Sequence, residues 1–417
     1  MSSMGHSPKT ISLYTGAGGL DFGFEAAGFR TRAAIEMDAD ACATMRHNDI
    51  WPVVERSIYD VSSEEILDVA KLVKGEADVL IGGPPCQPFS KSGTWKNRDT
   101  KRLSDPRAST LNAYMRVVED TLPKAILLEN VEGLAYKSKS EGLQFLKDQL
   151  ATINKRAGTN YRPHCQVLLA ADYGVPQLRS RFFLIAGREG QEFVFPKPTH
   201  GEGRAEAHRT AWDALGDVEP EPHEDLAMRG RWADLLPTIP EGENYLFHTD
   251  RGHGEPLFGW RRRYWSFLLK LSKRLPSWTV QSKPGPAIGP FHWDNRRLAM
   301  RELCRIQTFP DDIKILGVPT VVQKQVGNAV PSLLAEILAR EIRVQLLGRG
   351  RPRGGLKLLP PVRMGVPPAE ATTSLPRKFW HLRGDHSAHP GTGKGFGALA
   401  EEQFAAEQLE LPAMSAE

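Results

Sequence analysis

The sequence predicts an α/β protein built on a mostly parallel sheet. Two observations carry this. Short apolar runs alternate with helix-length amphipathic segments from Ile11 to Ala186, and glycine or acidic residues recur just past the ends of those runs. At 417 residues the chain is long enough for two domains and a tail.

The elements follow in order. Residues 11–14 form a short apolar strand, and 20–27 a helix closed by Gly28. A second strand, 33–37, ends on Glu36 and Asp38, before a helix over 39–47. Residues 79–81 read as a buried strand leading into a proline-stiffened loop around Cys86. A helix over 109–122 precedes a strand, 125–128, that ends on Glu129-Asn130. A helix over 142–156 and strands at 166–170 and 182–186 complete the series. In such sheets ligands sit outside the carboxyl ends of the strands. Gly16, Glu36, Asp60, Cys86 and Glu129 are therefore expected along one rim.

After Arg188 the composition turns to Gly, Pro, His and charge, which reads as a loop-rich second domain. Helical pattern returns at 299–307 and at 322–347. Residues 348–417 read as a poorly ordered extension with little core of its own. The domains expected are 1–187, completed by about 315–347; 188–314; and 348–417.

The bulk properties exclude several classes. No run approaches a membrane span, and residues 1–10 lack an apolar signal core, so a cytoplasmic protein is expected. Cys42, Cys86, Cys165 and Cys304 are far apart, without a CxxC pair, so neither a disulfide framework nor a zinc site is expected. The net charge of +4 is mild, but 251–274 concentrates Arg251, Arg261, Arg262, Arg263, Lys270, Lys273 and Arg274 among aromatics. That mixture suits phosphate contact and base stacking; an amphipathic helix with a solvated face would look the same.

Four segments carry candidate chemistry. Thr15-Gly16-Ala17-Gly18-Gly19-Leu20 lies between strand and helix, where glycines let a backbone approach a ligand at the positive end of a helix. Glu36, about twenty residues on, suits ribose hydroxyls, so an adenosine-containing cofactor fits and a nicotinamide cofactor stays open. The Cys86 loop offers a thiol nucleophile that needs nearby positive charge to ionise. Glu129 is a candidate proton partner, or a simple cap. In Gln177-Leu178-Arg179-Ser180-Arg181 alternate side chains on an extended segment would point together; a solvated edge strand would look the same.

In order, these segments resemble the DNA (cytosine-5) methyltransferase family from Ile11 to about Leu338. Ser12 to Gly19 looks like its glycine motif for S-adenosylmethionine, Glu36-Met37-Asp38 its ribose-binding acid, and Asp60 the acid near adenine. Gly83-Pro84-Pro85-Cys86-Gln87-Pro88-Phe89-Ser90 matches the nucleophile loop. Glu129-Asn130-Val131 and Gln177-x-Arg179-x-Arg181 match two catalytic motifs. Segments 301–311 and 325–331 match the motif after the target-recognition region and the last motif, which folds back beside the cofactor.

The resemblance implies a Rossmann-like catalytic domain with a smaller target-recognition domain, acting on double-stranded DNA as a monomer, with a functional link to a cognate restriction endonuclease. It implies that Cys86 adds to C6 of a flipped-out cytosine, Glu129 bonds to N3 and the amine, and Arg181 with Arg179 contacts O2 or steadies the carboxylate. C5 then takes the methyl, leaving S-adenosylhomocysteine. It places Tyr14, Gly16, Gly18, Gly19, Leu20, Glu36, Met37, Asp60, Pro85, Asn328 and Ala329 at the cofactor, and Gln87, Ser90, Arg261, Arg262, Arg263 and Thr279 at DNA. No metal is implied; His386 and His389 read as a polar loop.

The chain departs from the family at Ser12 and Tyr14, where Asp and Phe are frequent. A tRNA-directed member would carry a Cys-Phe-Thr signature, absent here. An oxidoreductase would leave Cys86, Glu129 and Arg181 unexplained, and a DNA-binding protein without catalysis would be expected to have lost Cys86 or Glu129.

Overall fold

The computed structural model describes residues 7–85, 109–135, 141–260 and 263–383. Cys86, Gln87, Ser90, Arg261, Arg262, His386 and His389 lie outside them.

A seven-stranded sheet forms the centre. Its strands are β1 (Lys9–Leu13), β2 (Arg30–Glu36), β3 (Val53–Glu55), β4 (Val79–Gly82), β5 (Ala125–Val131), β6 (His164–Leu169) and β8 (Ser180–Gly187), in the order β3-β2-β1-β4-β5-β8-β6. The first five are parallel; β8 runs antiparallel between β5 and β6. A second, two-stranded sheet joins β7 (Gln177–Leu178) to β9 (Ser277–Trp278). The large sheet changes direction of winding between β1 and β4, which opens a crevice at their carboxyl ends.

Strand alternation builds a core on each face. Ile11, Leu13, Leu80, Ile126 and Leu128 pack with helices α3 (Ser63–Ala70), α4 (Ser109–Thr121) and α5 (Glu141–Ala157). Val79, Ile81, Ala125 and Leu127 pack with α1 (Gly19–Ala26) and a late helix, Ser332–Gln345. The remaining helices are α2 (Ala39–His47), α6 (Ala211–Leu215), α7 (Met300–Ile306) and α8 (Pro319–Asn328), which makes Ser332–Gln345 α9.

Where periodicity predicts one helix over 322–347, the chain forms α8 and α9, broken at Ala329-Val330-Pro331. Pro331 offers no N–H and disfavours helical geometry at Val330. The break lets α9 cross α1 closely at Gly23, where a Cβ would lie 2.4 Å from Ser332 O and from Ala335 Cβ. Sequence periodicity also misses β3 and α3. Ser62 caps α3 by accepting the Glu65 N–H at 3.1 Å, a Ser-x-x-Glu signal present in the sequence.

Residues 188–314 do not stand wholly apart. Ala211, Leu215, Val280 and Trp293 share a core with Phe22 and Trp51. A separate cluster around Leu236, Tyr245, Phe258, Phe267 and Phe291 also contains Phe379 and Leu382. The extension after Leu347 therefore does more than its composition suggests. Lys357 and Leu358 donate N–H groups to Glu336 of α9, Arg363 N–H bonds Asp213, and the Phe379 ring stacks on Trp232 at 5.9 Å.

Gly23→Ala tests the α1–α9 crossing. The backbone atoms at 2.4 Å cannot yield as a side-chain tip can, so overpacking of about 1–3 kcal/mol should outweigh the helix propensity gained by alanine. The urea midpoint should fall; a midpoint equal to wild type would refute the packing account.

Candidate active site

The cofactor side is assembled by backbone turns. Tyr14, Gly16 and Gly18 leave β1 with φ of 55°, 56° and 86°, which turns the chain sharply before α1. No atom lies within 4 Å of where a Gly16 Cβ would be, so the turn faces open space. Glu36, ending β2, accepts N–H bonds from Gly16, Met37 and Asp38, each at 2.8 Å. Its carboxylate thus ties the glycine turn to the β2 end.

The last motif folds back onto this turn. A Cβ on Gly19 would lie 2.4 Å from Val330 O, so only glycine lets Ala329-Val330 approach. Lys324 of α8 pairs with Asp38, and Thr44 donates to Gln325 at 2.8 Å. Nothing in local sequence pattern marks Lys324 or Thr44, because these bonds join segments far apart in the chain.

Residues 14 and 12 have partners that explain them. Tyr14 Oη donates to Thr110 O at 2.8 Å, and Thr110 Oγ1 donates to Pro85 O at 3.0 Å. A phenylalanine ring could not make the first bond, so tyrosine links the β1 end to the residue preceding Cys86. Ser12 Oγ donates to Asp21 Oδ2 at 3.0 Å, and Thr31 Oγ1 to Asp21 Oδ1 at 3.2 Å. An aspartate at position 12 would set a second carboxyl against buried Asp21. Burial holds Asp21 up at about 7.

The other expected cofactor residues are not equivalent. Met37 is 70% exposed beside Glu36, and Asn328 and Pro85 are exposed. Leu20 points instead into the core with Leu334 and Leu338. Asp60 is exposed on a turn closed by its own N–H on Ser57 O. The open glycine turn, the half-buried Tyr14 ring, the Glu36 carboxylate and the exposed Met37 suit a nucleoside with a charged tail.

The reaction side lies at the ends of β4 and β5. Glu129 is 9% exposed, and Arg181, on neighbouring β8, places Nε 2.9 Å from Glu129 Oε1. Burial raises the Glu129 carboxyl, opposed by the charges of Arg181 and Arg179. A Cβ on Gly83 would come within 2.9 Å of Glu129 Oε2, and Asn130 Nδ2 donates to Pro84 O at 3.1 Å. The acid and its neighbour therefore grip the segment that runs into Cys86.

Gln177, Arg179 and Arg181 do not point together as the alternation predicts. The chain changes sheets between β7 and β8, so the simple alternation is interrupted. Arg179, 1% exposed, donates to Val280 O at 3.3 Å and to Gly327 O and Ala329 O, both at 2.9 Å. It is a positioning residue, and Arg181 makes the ion pair with Glu129. Gln177 bonds Gln307 at 3.0 Å and the Val280 N–H at 3.1 Å.

The basic aromatic stretch is also divided. It forms no helix in the described residues. Arg263 sits among the rings of Trp232, Phe258 and Phe267 at 4.6–5.0 Å, and burial lowers it to about 10. Arg263 thus packs among these rings, and it also lines a cleft with Arg251, Trp260 and Trp265. Lys270 and Lys273 are buried, on Ile239 O and on Glu241 respectively. Thr279 Oγ1 donates to Leu178 O at 2.7 Å, beside Arg179. Among the described residues no cluster of three or more His, Cys, Asp or Glu could hold a metal, and no helix is long and apolar enough to cross a membrane.

A mostly parallel sheet with an open glycine turn and an acid ending β2 on one side of the crevice, and a buried Glu–Arg pair on the other, has the layout of a group-transfer enzyme. Residues 8–344 match the C-5 cytosine-specific DNA methylase family, and the chain belongs to that family. It is a DNA (cytosine-5) methyltransferase. It is 40% identical over 376 residues to the Type II methyltransferase M.SacI of Streptomyces achromogenes, covering 82% of this chain and 94% of that one. To M1.HphI of Haemophilus parahaemolyticus it is 33% identical, covering 80% and 86%. The fold is similar to that of the Entamoeba histolytica methyltransferase EhMeth, with TM-score 0.56, 16% identity, and 81% and 98% of the two chains covered.

Two predictions follow from this geometry. Arg179→Lys keeps a charge but cannot reach three carbonyls, so it should lower stability to urea by about 1–3 kcal/mol for a buried acceptor left without its donor; an unchanged midpoint would refute the positioning role. Asp21, raised in the folded state, keeps its proton where the unfolded chain has lost it. Its stabilisation is complete below about pH 4 and gone above about pH 7, falling by about 1.4 kcal/mol per pH unit between. Asp21→Asn should remove that slope, so the variant gains on wild type by roughly 2–3 kcal/mol from pH 5 to pH 7; parallel pH profiles of urea unfolding would count against it.

Proposed function

We propose that the chain methylates C5 of one cytosine within a specific double-stranded DNA sequence, with S-adenosylmethionine as donor and Cys86 as transient nucleophile. The observation that carries this reading is the buried Glu129–Arg181 pair packed against Gly83-Pro84, the residues that lead directly into Cys86.

Cytosine C5 is a weak nucleophile, and covalent addition at C6 is what makes it reactive. The Cys86 thiolate forms a bond to C6, and the C5–C6 electron pair becomes available at C5. Glu129, whose carboxyl burial pushes up, bonds N3 and the exocyclic amine and shares its proton as charge builds on the ring. Arg181 holds that carboxylate and would donate to O2. The donor supplies a methyl group on a sulfonium, which departs as a neutral thioether. Loss of the C5 proton then breaks the S–C6 bond and restores the aromatic ring.

On the cofactor side, Glu36 would take the ribose hydroxyls while keeping its backbone N–H bonds. Tyr14 and Met37 would flank adenine, and Gly16 and Gly18 would let the turn approach the donor's tail. Reaching C6 requires extruding the base from the stack, at a cost of a few kcal/mol. Gln87 and Ser90, which follow Cys86 closely in sequence, would support the gap. The Type II relatives support protection of DNA from a cognate endonuclease as the purpose, and the site of action is wherever the cell keeps its DNA.

The test is transfer of labelled methyl from S-adenosylmethionine to unmethylated duplex DNA, followed by sequencing for 5-methylcytosine. Wild type should label one sequence, and Cys86→Ser should lose at least 1,000-fold in rate. Duplex carrying 5-fluorocytosine at that position cannot release a C5 proton and should trap a covalent complex. Transfer by Cys86→Ser at the wild-type rate would sink the covalent route.

A further inference from the structure

Two large aromatic side chains stand in solvent where the small domain meets the catalytic rim. Trp265 is 51% exposed and Trp278 38%, with ring centroids 5.4 Å apart at 65°. Adjoining exposed indoles are costly to leave in water and mark contact surfaces.

Their position is fixed by the site. Trp278 lies in β9 opposite Leu178 of β7, and the next residue, Thr279, donates to Leu178 O. Arg181 follows Leu178 by three residues, so the Trp278 backbone lies within about 15 Å of the Glu129–Arg181 pair. Trp265 is held from both sides: Asn244 Nδ2 donates to its carbonyl at 2.8 Å, and Gln281 Nε2 donates to Ser266 Oγ at 2.9 Å. It also walls a cleft of about 600 Å³ with Arg251, His253 and Trp260. Arg251 brings a cation over the Trp260 ring at 5.2 Å.

A base has a π face and a phosphate beside it, which rings near a cation are suited to meet. We infer that Trp265 and Trp278 pack against the DNA bases next to the target cytosine and steady the stack opened by its extrusion. This rests on the DNA methylation reading above and adds two positioning residues to it.

The full-length Trp278→Ala and Trp265→Ala proteins test it on a duplex bearing the site found by sequencing, with 2-aminopurine replacing the target base. Kd for that duplex should rise about tenfold per ring lost, and the 2-aminopurine fluorescence gained on extrusion should shrink. KM for S-adenosylmethionine should stay at the wild-type value, and Trp278→Phe should recover most of the affinity. Unchanged duplex Kd and unchanged 2-aminopurine signal in both alanine variants would overturn the inference. So would unchanged DNA binding together with loss of a self-associated species in sedimentation, which would assign the rings to a second copy. If wild type itself transfers no methyl to any duplex, it is the underlying reading that fails.

Discussion

The guanidinium of Arg179 is shut away from solvent and donates to carbonyls from two remote parts of the chain, Val280 and the Gly327–Ala329 turn. Around this contact β7 leaves the main sheet, α8 ends, and the segment after β9 returns to the rim. Without that guanidinium Val280 O and Gly327 O would lose this donor, and Ala329 O would keep only Gln307 Nε2 at 3.2 Å, so no one of the segments can leave without cost to the others. The Glu129–Arg181 pair lies near that frame, close enough for the Arg179 charge to act on the Glu129 carboxyl.

Three carboxyl groups within the catalytic domain are given different jobs by their surroundings. Glu36 is held by backbone N–H groups and keeps two neighbouring turns in register. Glu129 is buried against one guanidinium, so burial and charge pull its proton affinity in opposite directions. Asp21 accepts from the Ser12 and Thr31 hydroxyls and has no cation among the neighbours that shift it, and burial prevails. The same functional group becomes a clamp, an acid held beside a guanidinium and a core group that burial keeps protonated to higher pH.

Much of this was legible because it is local. The glycine turn, the acid ending β2 and the Glu-Asn ending β5 sit where strand periodicity stops, and helix α2 falls on the residues expected. What escaped reading is non-local or depends on a sheet change. Alternation sent Gln177, Arg179 and Arg181 to one side because nothing in five residues announces that β7 and β8 belong to different sheets. Composition does not say which cation a ring cage will take, so the packing of Arg263 among Trp232, Phe258 and Phe267 was not legible. Residues 348–383 looked like a loose tail because an extended strand-free run, held by Glu336, Asp213 and the Trp232 ring, has no periodicity to find.

The pairing of Lys324 with Asp38 spans 286 residues of chain. A ribosome adding about 5–20 residues per second needs roughly 15–60 s to cover that distance. Throughout that interval the glycine turn has emerged but its facing wall has not been made. The strap that reaches the small domain comes later still. A nascent or prematurely ended chain therefore holds half a crevice, and the wall closes only once Lys324 has been added.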